Sequence, residues 1–419
     1  PDTVTTSATY AFDGCTSLER VTLSQSMTSI SGYMFRNCVS LKSINLTSAI
    51  TSIGSEAFLG SGLEYIVIPQ NVKTISGKAF ADCVNLTEVL VDGLNATFRS
   101  EDGIVYNRTT GALVFVPSAM ADVGIDVEEL LLNNGITAYA FYGVTGIEHI
   151  TVPEGVTSIP ANAFYGLKSL KSVTLPSTLQ SIGNYAFAYC TSLESIVIPE
   201  TMVVLGTNLF QGCTSLSSVT LPEGLDVLSN YMFEGCTSLK TLNLPNRLRG
   251  VENDYDAFQF GLKLAGGLSN PNAVMCFSEY DGRDCAAVES INVEEGGLYF
   301  SSYDGALYTA DRKMLVFCPQ QKSGTITIAK EAETFRTSSF WNCQILSAIE
   351  FEEGGTADFE LPSVSGSFTY TSDGIFYNCY SLTSIAFPAR LVKIGDNALY
   401  WGEAIAGRSN HNISVVTFA

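Results

Sequence analysis

The sequence predicts an α/β solenoid, in which coils of about 23 residues stack on one another with short parallel strands on one face and a short helical or 3-10 turn in each coil. Three observations predict it. A phenylalanine recurs at a fixed interval, an alternating apolar pattern follows it at a fixed offset, and a proline ends that pattern.

The phenylalanine sets the register. It stands at Phe12, Phe35, Phe58 and Phe80, with steps of 23, 23 and 22 residues, and resumes at Phe141, Phe164, Phe187, Phe210 and Phe233, every step being 23. Further copies are Phe258, Phe340 and Phe376. Self-similarity at a period of 20–50 residues marks a repeat architecture.

One unit shows the parts in order. Ala186-Phe187-Ala188-Tyr189-Cys190-Thr191-Ser192-Leu193 is followed by Glu194-Ser195-Ile196-Val197-Ile198-Pro199. Leu193, Ile196 and Ile198 form the Leu-x-x-Ile-x-Ile pattern of a leucine-rich repeat. Its last residues alternate in period 2, so a short strand turns Ile196 and Ile198 inward. Pro199 lacks the N–H a ladder needs and closes the strand. Leu179 and Ile182, ahead of Gly183, mark a second short extended segment in the coil before it. Residues 184–189 then read as one helical or 3-10 turn carrying Phe187 into the core. A lone coil buries too little apolar surface to offset the entropy of ordering its backbone, so coils must stack.

The run Ala-Phe-x-x-Cys-x-Ser-Leu-x-x-Val-x-Leu-Pro resembles the BspA-like leucine-rich repeat of bacterial surface proteins. With it goes the expectation of a right-handed leucine-rich-repeat superhelix. The resemblance implies a secreted or cell-surface protein that adheres to host matrix or to other cells, and it does not imply an enzyme.

Interruptions divide the expected single solenoid, 1–419, into sub-regions. Repeats fill 1–92 and 131–245, and degenerate repeats fill 288–419. In 93–130 the phenylalanine register lapses. There Phe98, Asp102-Gly103, Tyr106, Leu113, Phe115 and Pro117 return 202 residues later as Phe300, Asp304-Gly305, Tyr308, Leu315, Phe317 and Pro319. Residues 104–106 and 112–116 read as the strands of a β-hairpin that replaces part of a coil, with its second copy at 298–319. Residues 246–287 read as an irregular loop that bulges from the stack, or a hinge, and 352–367 as a smaller one. The start at Pro1 without Met suggests a trimmed secretion signal or a recombinant start.

Composition removes several function classes. The 419 residues hold 22 Lys plus Arg against 42 Asp plus Glu, a net charge of −20. Such acidity argues against a nucleic-acid partner, which needs a positive footprint. Apolar residues reach 46%, which excludes disorder, yet no apolar run has the ~20 residues of a transmembrane segment. The two histidines, His149 and His411, have no motif-fixed partners, so no catalytic residue is assigned. Asp254 and Asp256 lack the rest of a calcium loop, and there is no Cys-x-x-Cys pair or phosphate-binding glycine loop, so neither metal nor cofactor is expected. Eight of the 11 cysteines lie three residues after a repeat phenylalanine, among them Cys15, Cys38, Cys83, Cys190, Cys213, Cys236, Cys343 and Cys379. They read as reduced thiols in a small buried slot. Cys276, Cys285 and Cys318 lie off that ladder, with a Cys276–Cys285 bridge as an alternative.

The solvent-facing side of the strands is mostly serine and threonine. Its varied part is Arg20, Tyr65, Glu88 and His149, the candidate ligand contacts, because Tyr and Arg anchor interfaces. The function expected is a non-enzymatic binding protein whose solenoid face takes a protein or glycan. A stalk that presents another module is the alternative, and an enzyme comes third.

Overall fold

Buried backbone N–H and C=O groups must find partners, and a short coil finds them in the coil beside it. The computed structural model describes residues 2–122, 128, 131–132, 135–225, 227–229, 231–248, 250–251, 288–293, 295–336, 339–340, 343–363, 375–376, 379–399 and 413–418. The chain divides into two compact units, Pro1–Leu193 and Glu194–Ala419.

Strands in the first unit fall into two parallel sets. The two-residue strands Ser29–Ile30, Ser52–Ile53 and Thr74–Ile75 pair side by side, Ser29 opposite Ser52 and Ser52 opposite Thr74. Ser158–Ile159 pairs with Ser181–Ile182 in the same way. The longer strands Tyr65–Ile68 and Glu88–Val91 pair in register, as do His149–Thr151 and Ser172–Thr174. Ile66 and Ile68 are buried while Tyr65 and Val67 are exposed, the period-2 alternation of a sheet with one wet face. The expectation of strands on one face is thus corrected: a second set forms where the sequence marked only a short extended segment. Residues 18–24 and 41–47 carry no strand, although Arg20 was expected on the solvent-facing side of one.

The expected helical turns are corrected too. Helical residues are few among those described: the 3-10 helix Ser118–Asp122 and positions 128, 131 and 132. Residues 184–189 form tight turns, because Tyr185 (φ 57°) and Tyr189 (φ 60°) are left-handed and interrupt the run of right-handed dihedrals a helix requires. That interruption has a use. A helix would spend its N–H groups within itself, whereas this turn sends alternate groups to the next coil. Phe35 N donates to Ala57 O at 2.8 Å and Asn37 N to Leu59 O at 2.8 Å. Phe164 N and Gly166 N repeat the pattern toward Ala186 O and Ala188 O. The turns are therefore a third coil-to-coil ladder.

Inside that ladder the phenylalanines stack. Ring centroids lie 5.4 Å apart for Phe35–Phe58, 5.5 Å for Phe58–Phe80, 5.9 Å for Phe141–Phe164 and 5.3 Å for Phe164–Phe187. In the second unit Phe210–Phe233 are 5.9 Å apart and Phe340–Phe376 5.3 Å. All of these rings are buried. Phe12 departs from the expected core position: it is 39% exposed, since Phe35, 5.5 Å away, covers only one face of its ring.

The hairpin modules have three strands where the sequence reading gave two. Phe98–Glu101, Ile104–Asn107 and Leu113–Phe115 are antiparallel, and so are Phe300–Tyr303, Ala306–Thr309 and Met314–Phe317. Asp102-Gly103 and Asp304-Gly305 make the first turn of each, all four residues with positive φ. Two consecutive left-handed residues suit a two-residue hairpin turn, for which Asp-Gly is a strong signal. Phe115 brings its ring 5.5 Å from Phe80 and so continues the stack from within the hairpin.

In the second unit Ser195–Val197 pairs with Ser218–Thr220, and Val227–Leu228 with Gly250–Val251. Thr241–Leu244 pairs directly with Ser290–Val293, Thr241 opposite Ser290, so the ladder steps across the sequence between them. Gly324–Ile328, Leu346–Phe351, Ser384–Phe387 and Val415–Phe418 form a four-stranded parallel sheet. Phe359–Leu361 pairs with Thr334–Phe335 and Leu391–Ile394, so part of the expected smaller loop is a strand of the short set. Phe258, Asp254, Asp256, Cys276, Cys285 and His411 lie outside the described residues.

Candidate binding surface

Outward side chains of the longer strands are free of packing duty, and their neighbours are set by register. Tyr65 stands opposite Glu88 and Val67 opposite Leu90. Tyr65 is 47% exposed, Val67 45% and Leu90 39%, with Glu88 also exposed. Two apolar groups, a phenol and a carboxylate thus share one small patch. On the far side of Glu88 lies the Asp102-Gly103 turn: Val89 N donates to Gly103 O at 3.1 Å, and a Cβ on Gly103 would stand 3.4 Å from Glu88 Cα.

Of the four expected contact residues, the structure brings two together. Tyr65 and Glu88 are register partners. His149 is exposed but sits opposite Ser172, its Nδ1 2.8 Å from Ser172 Oγ, and the first hairpin occupies the place beside Glu88. Arg20 is exposed on a stretch without a strand. Ion pairs border the strands: Lys42 with Glu64 at 2.9 Å and Lys171 with Glu148 at 2.7 Å. The hydrogen bond from Lys171 holds the Glu148 carboxyl below its ordinary range.

A second surface feature escaped the sequence reading. The residue two before the repeat phenylalanine is left-handed in nine described turns: Tyr10, Tyr33, Glu56, Lys78, Tyr139, Asn162, Tyr185, Asn208 and Tyr231. Left-handed φ costs an L-residue roughly 1–2 kcal/mol, and glycine would avoid it. Glycine does serve two residues after the ring, at Gly14, Gly60, Gly143, Gly166, Gly212 and Gly235. Before the ring, seven of the nine keep a tyrosine, glutamate or lysine against that strain, and Asn162 and Asn208 tolerate it. The signal was legible as Tyr-x-Phe in Tyr10-Ala11-Phe12, Tyr33-Met34-Phe35, Tyr139-Ala140-Phe141, Tyr185-Ala186-Phe187 and Tyr231-Met232-Phe233.

These side chains pair along the stack. Tyr10 and Tyr33 lie 4.5 Å apart with planes 9° from parallel, and the Arg36 guanidinium stands 5.3 and 5.1 Å from their centroids. Asp13 Oδ2 accepts from Arg36 Nη2 at 2.6 Å, and that bond lowers the Asp13 carboxyl. Farther along, Tyr139 lies 5.4 Å from Tyr165, a residue that follows its ring, and Tyr165 in turn lies 5.3 Å from Tyr142 and 5.3 Å from Tyr189, which also follow theirs. Burial pushes the Tyr142 phenol up to about 12 and raises Tyr165 as well.

Among the described residues no group of three or more His, Cys, Asp or Glu is placed to hold a metal ion, and no helix is long and apolar enough to cross a membrane. None of the nine described cysteines forms a disulfide. Cys318 lies off the cysteine ladder as expected and takes the place that the phenylalanine has in other coils: its carbonyl lies 3.5 Å from Cys343 Sγ, and its N–H donates to Ser339 O as Phe35 N does to Ala57 O.

The arrangement can be compared with known proteins. A search of curated proteins finds no match. Among solved structures the chain is similar to a leucine-rich cell surface protein from Faecalibacterium prausnitzii, at 21% identity over 82% of this chain and 62% of that one, with a TM-score of 0.32. The chain thus spans 62% of that protein's length. A leucine-rich repeat protein from Bacteroides ovatus is 20% identical over 95% of this chain and 75% of its own, TM-score 0.33. Another from Eubacterium ventriosum is 22% identical over 61% and 83%, TM-score 0.39. The BspA type leucine rich repeat region matches residues 1–101, 134–262 and 314–406 in six copies, well over half of the sequence. The chain therefore belongs to the BspA-type leucine-rich repeat family.

Proposed function

We propose that this chain is a non-enzymatic, secreted or cell-surface adhesion protein that holds a protein ligand on its longer-strand face. The observation that carries the reading is the patch of Tyr65, Val67, Glu88 and Leu90, where apolar side chains stand exposed around a phenol and a carboxylate. Aromatic and apolar groups at the centre of a patch with a polar rim are what protein interfaces use as anchors. A right-handed superhelix belongs to the same proposal, supported by the strong preference of parallel-strand crossovers for that hand.

The test is a binding screen of the purified chain against immobilised matrix proteins and glycans, repeated with the double variant Tyr65→Ser, Glu88→Gln. Binding should fall about tenfold or more, as for a pair that includes a hot spot, while the thermal melt stays unchanged. Unaltered binding to every captured protein would refute the patch. One observation favours the stalk as a second reading: Ser195 and Ser218 face each other in a serine and threonine column with no anchor. A stalk would tolerate the double variant and lose attachment when whole coils are removed.

A further inference from the structure

Within the first unit, the hairpin strands 98–101, 104–107 and 113–115 carry no left-handed turn beside a repeat ring. On the turn side the neighbours are therefore residues far apart in sequence. A Cβ on Gly143 would stand 2.6 Å from Asp82 N, and one on Gly77 2.7 Å from Tyr139 Cδ2. Gly77 is required there because the Tyr139 ring lies against its backbone. Beside this junction opens a cavity of about 360 Å³, lined by the turn of Lys78, the turn of Tyr139 and the hairpin. That volume is at the small end of ligand pockets, which span roughly 300–1,000 Å³.

The lining has two characters. Phe98, Val114 and Phe115 supply apolar wall from the hairpin. Ser76, Asn107 and Thr137 supply short polar groups. Asn107 Oδ1 accepts from the N–H groups of Thr109 and Thr110, and that bonding leaves its amide N–H groups for another partner. Thr137 Oγ1 donates to Val114 O at 3.3 Å and keeps its lone pairs.

Lys78 supplies the charge. Its Nζ lies 4.9, 5.1 and 4.5 Å from the ring centroids of Tyr139, Tyr142 and Tyr165. Rings attract the ammonium but accept no strong hydrogen bond from it. Its N–H donors meet no carboxylate within ion-pair distance among the described residues: Asp82 is engaged by Lys168 at 3.4 Å, and Glu56, one turn away in the same column, is not in an ion pair with it. Lys78 also keeps φ at +63°, a strain that only glycine at this position would relieve.

We propose that this cavity binds a sugar unit that carries a carboxylate, with the ammonium of Lys78 receiving the carboxylate. The C–H face of the pyranose would lie on the apolar wall and Tyr139, and its hydroxyls would exchange hydrogen bonds with Ser76, Asn107 and Thr137. The site is separate from the Tyr65 and Glu88 patch and does not depend on it.

The experiment is saturation-transfer NMR and titration calorimetry on the full chain, with glucuronate as the probe and glucose as the uncharged control. Glucuronate should bind and glucose should bind at least about tenfold more weakly, the ratio expected for one charge-assisted hydrogen bond. Lys78→Met should bring glucuronate down to the glucose level, and Asn107→Leu should weaken both sugars. The Tyr65→Ser, Glu88→Gln protein should bind glucuronate as the parent does. Circular dichroism melts of each variant separate lost binding from lost fold. No saturation transfer from glucuronate, or equal affinity for the two sugars, would overturn the proposal. So would undiminished binding by a folded Lys78→Met protein.

Discussion

The thiol of Cys83 donates to the carbonyl of Phe58, 25 residues earlier, at 3.0 Å. The contact recurs from Cys38 to Phe12 at 3.1 Å and from Cys190 to Phe164 at 3.2 Å. In the second unit Cys236 reaches Phe210 at 3.2 Å and Cys379 reaches Phe340 at 2.9 Å. The repeat cysteine is therefore a coil-to-coil tie as well as a small apolar filler. Where Ser61 takes its place, the hydroxyl lies 3.4 Å from Cys83 Sγ.

Thiol reactivity follows from that burial. Desolvation lifts Cys38 and Cys83 from 9.0 to about 11, so little thiolate forms at pH 8. Native protein treated with iodoacetamide at pH 8 should be labelled first at the exposed Cys15 and much more slowly at Cys83, as read by peptide mass spectrometry. Equal labelling rates would contradict the tie. The same shift sets a sign for stability. The folded value lies above the unfolded one, so the contribution is complete below pH 9 and is lost as pH rises through about 11. Urea midpoints should decline across that window, and Cys83→Val should flatten the decline.

Ring position in the stack sets the cost of truncation. Phe58 is buried between Phe35 and Phe80, so Phe58→Ala should lose about 3–5 kcal/mol in urea unfolding. Phe12, with one ring neighbour and an open face, should lose only about 1–2 kcal/mol on the same change. Equal losses would mean that stacking along the coils contributes little.

Acid stability has a nameable group. Glu154 Oε1 accepts from Ser177 N at 3.0 Å and Oε2 accepts from Ser177 Oγ at 3.1 Å, one coil on. The backbone N–H of Ser177 is the main cause of a carboxyl lowered from 4.5. A lowered carboxyl stabilises above its unfolded value and stops doing so as pH falls through the folded one. Glu154→Gln should therefore make the melting temperature less sensitive to pH below about 4.5. An unchanged acid limb would remove Glu154 from the explanation.

Much of this fold is legible in the sequence, for a physical reason. A repeat buries the same side chains in the same slot at each step, so Phe35, Phe58, Phe80 and their successors announce the core by period alone. Ile66 and Ile68 announce their strand by alternation. The turn conformation was less legible, because helix and alternating turn bury Phe187 equally well and differ only in where the peptide N–H groups go. The third hairpin strand, 98–101, has its signal in Asp102-Gly103, a two-residue turn pair that precedes the strand at 104–107. Neighbourhood on the surface was legible only where coils succeed one another, as at Tyr65 and Glu88. It failed for His149, because an antiparallel module does not advance the stack as a coil does.

The sequence by itself determined the period, most of the inward residues, the paired hairpin modules and the place of the repeat cysteines in their coils, since all of these repeat and repetition is visible in one dimension. Only the tertiary structure decided that Lys78 meets Tyr139, 61 residues on, over three tyrosine rings and beside a cavity. Distance along the chain becomes distance in space by one rule inside a regular stack, and the hairpin suspends that rule at the point where the two turns meet.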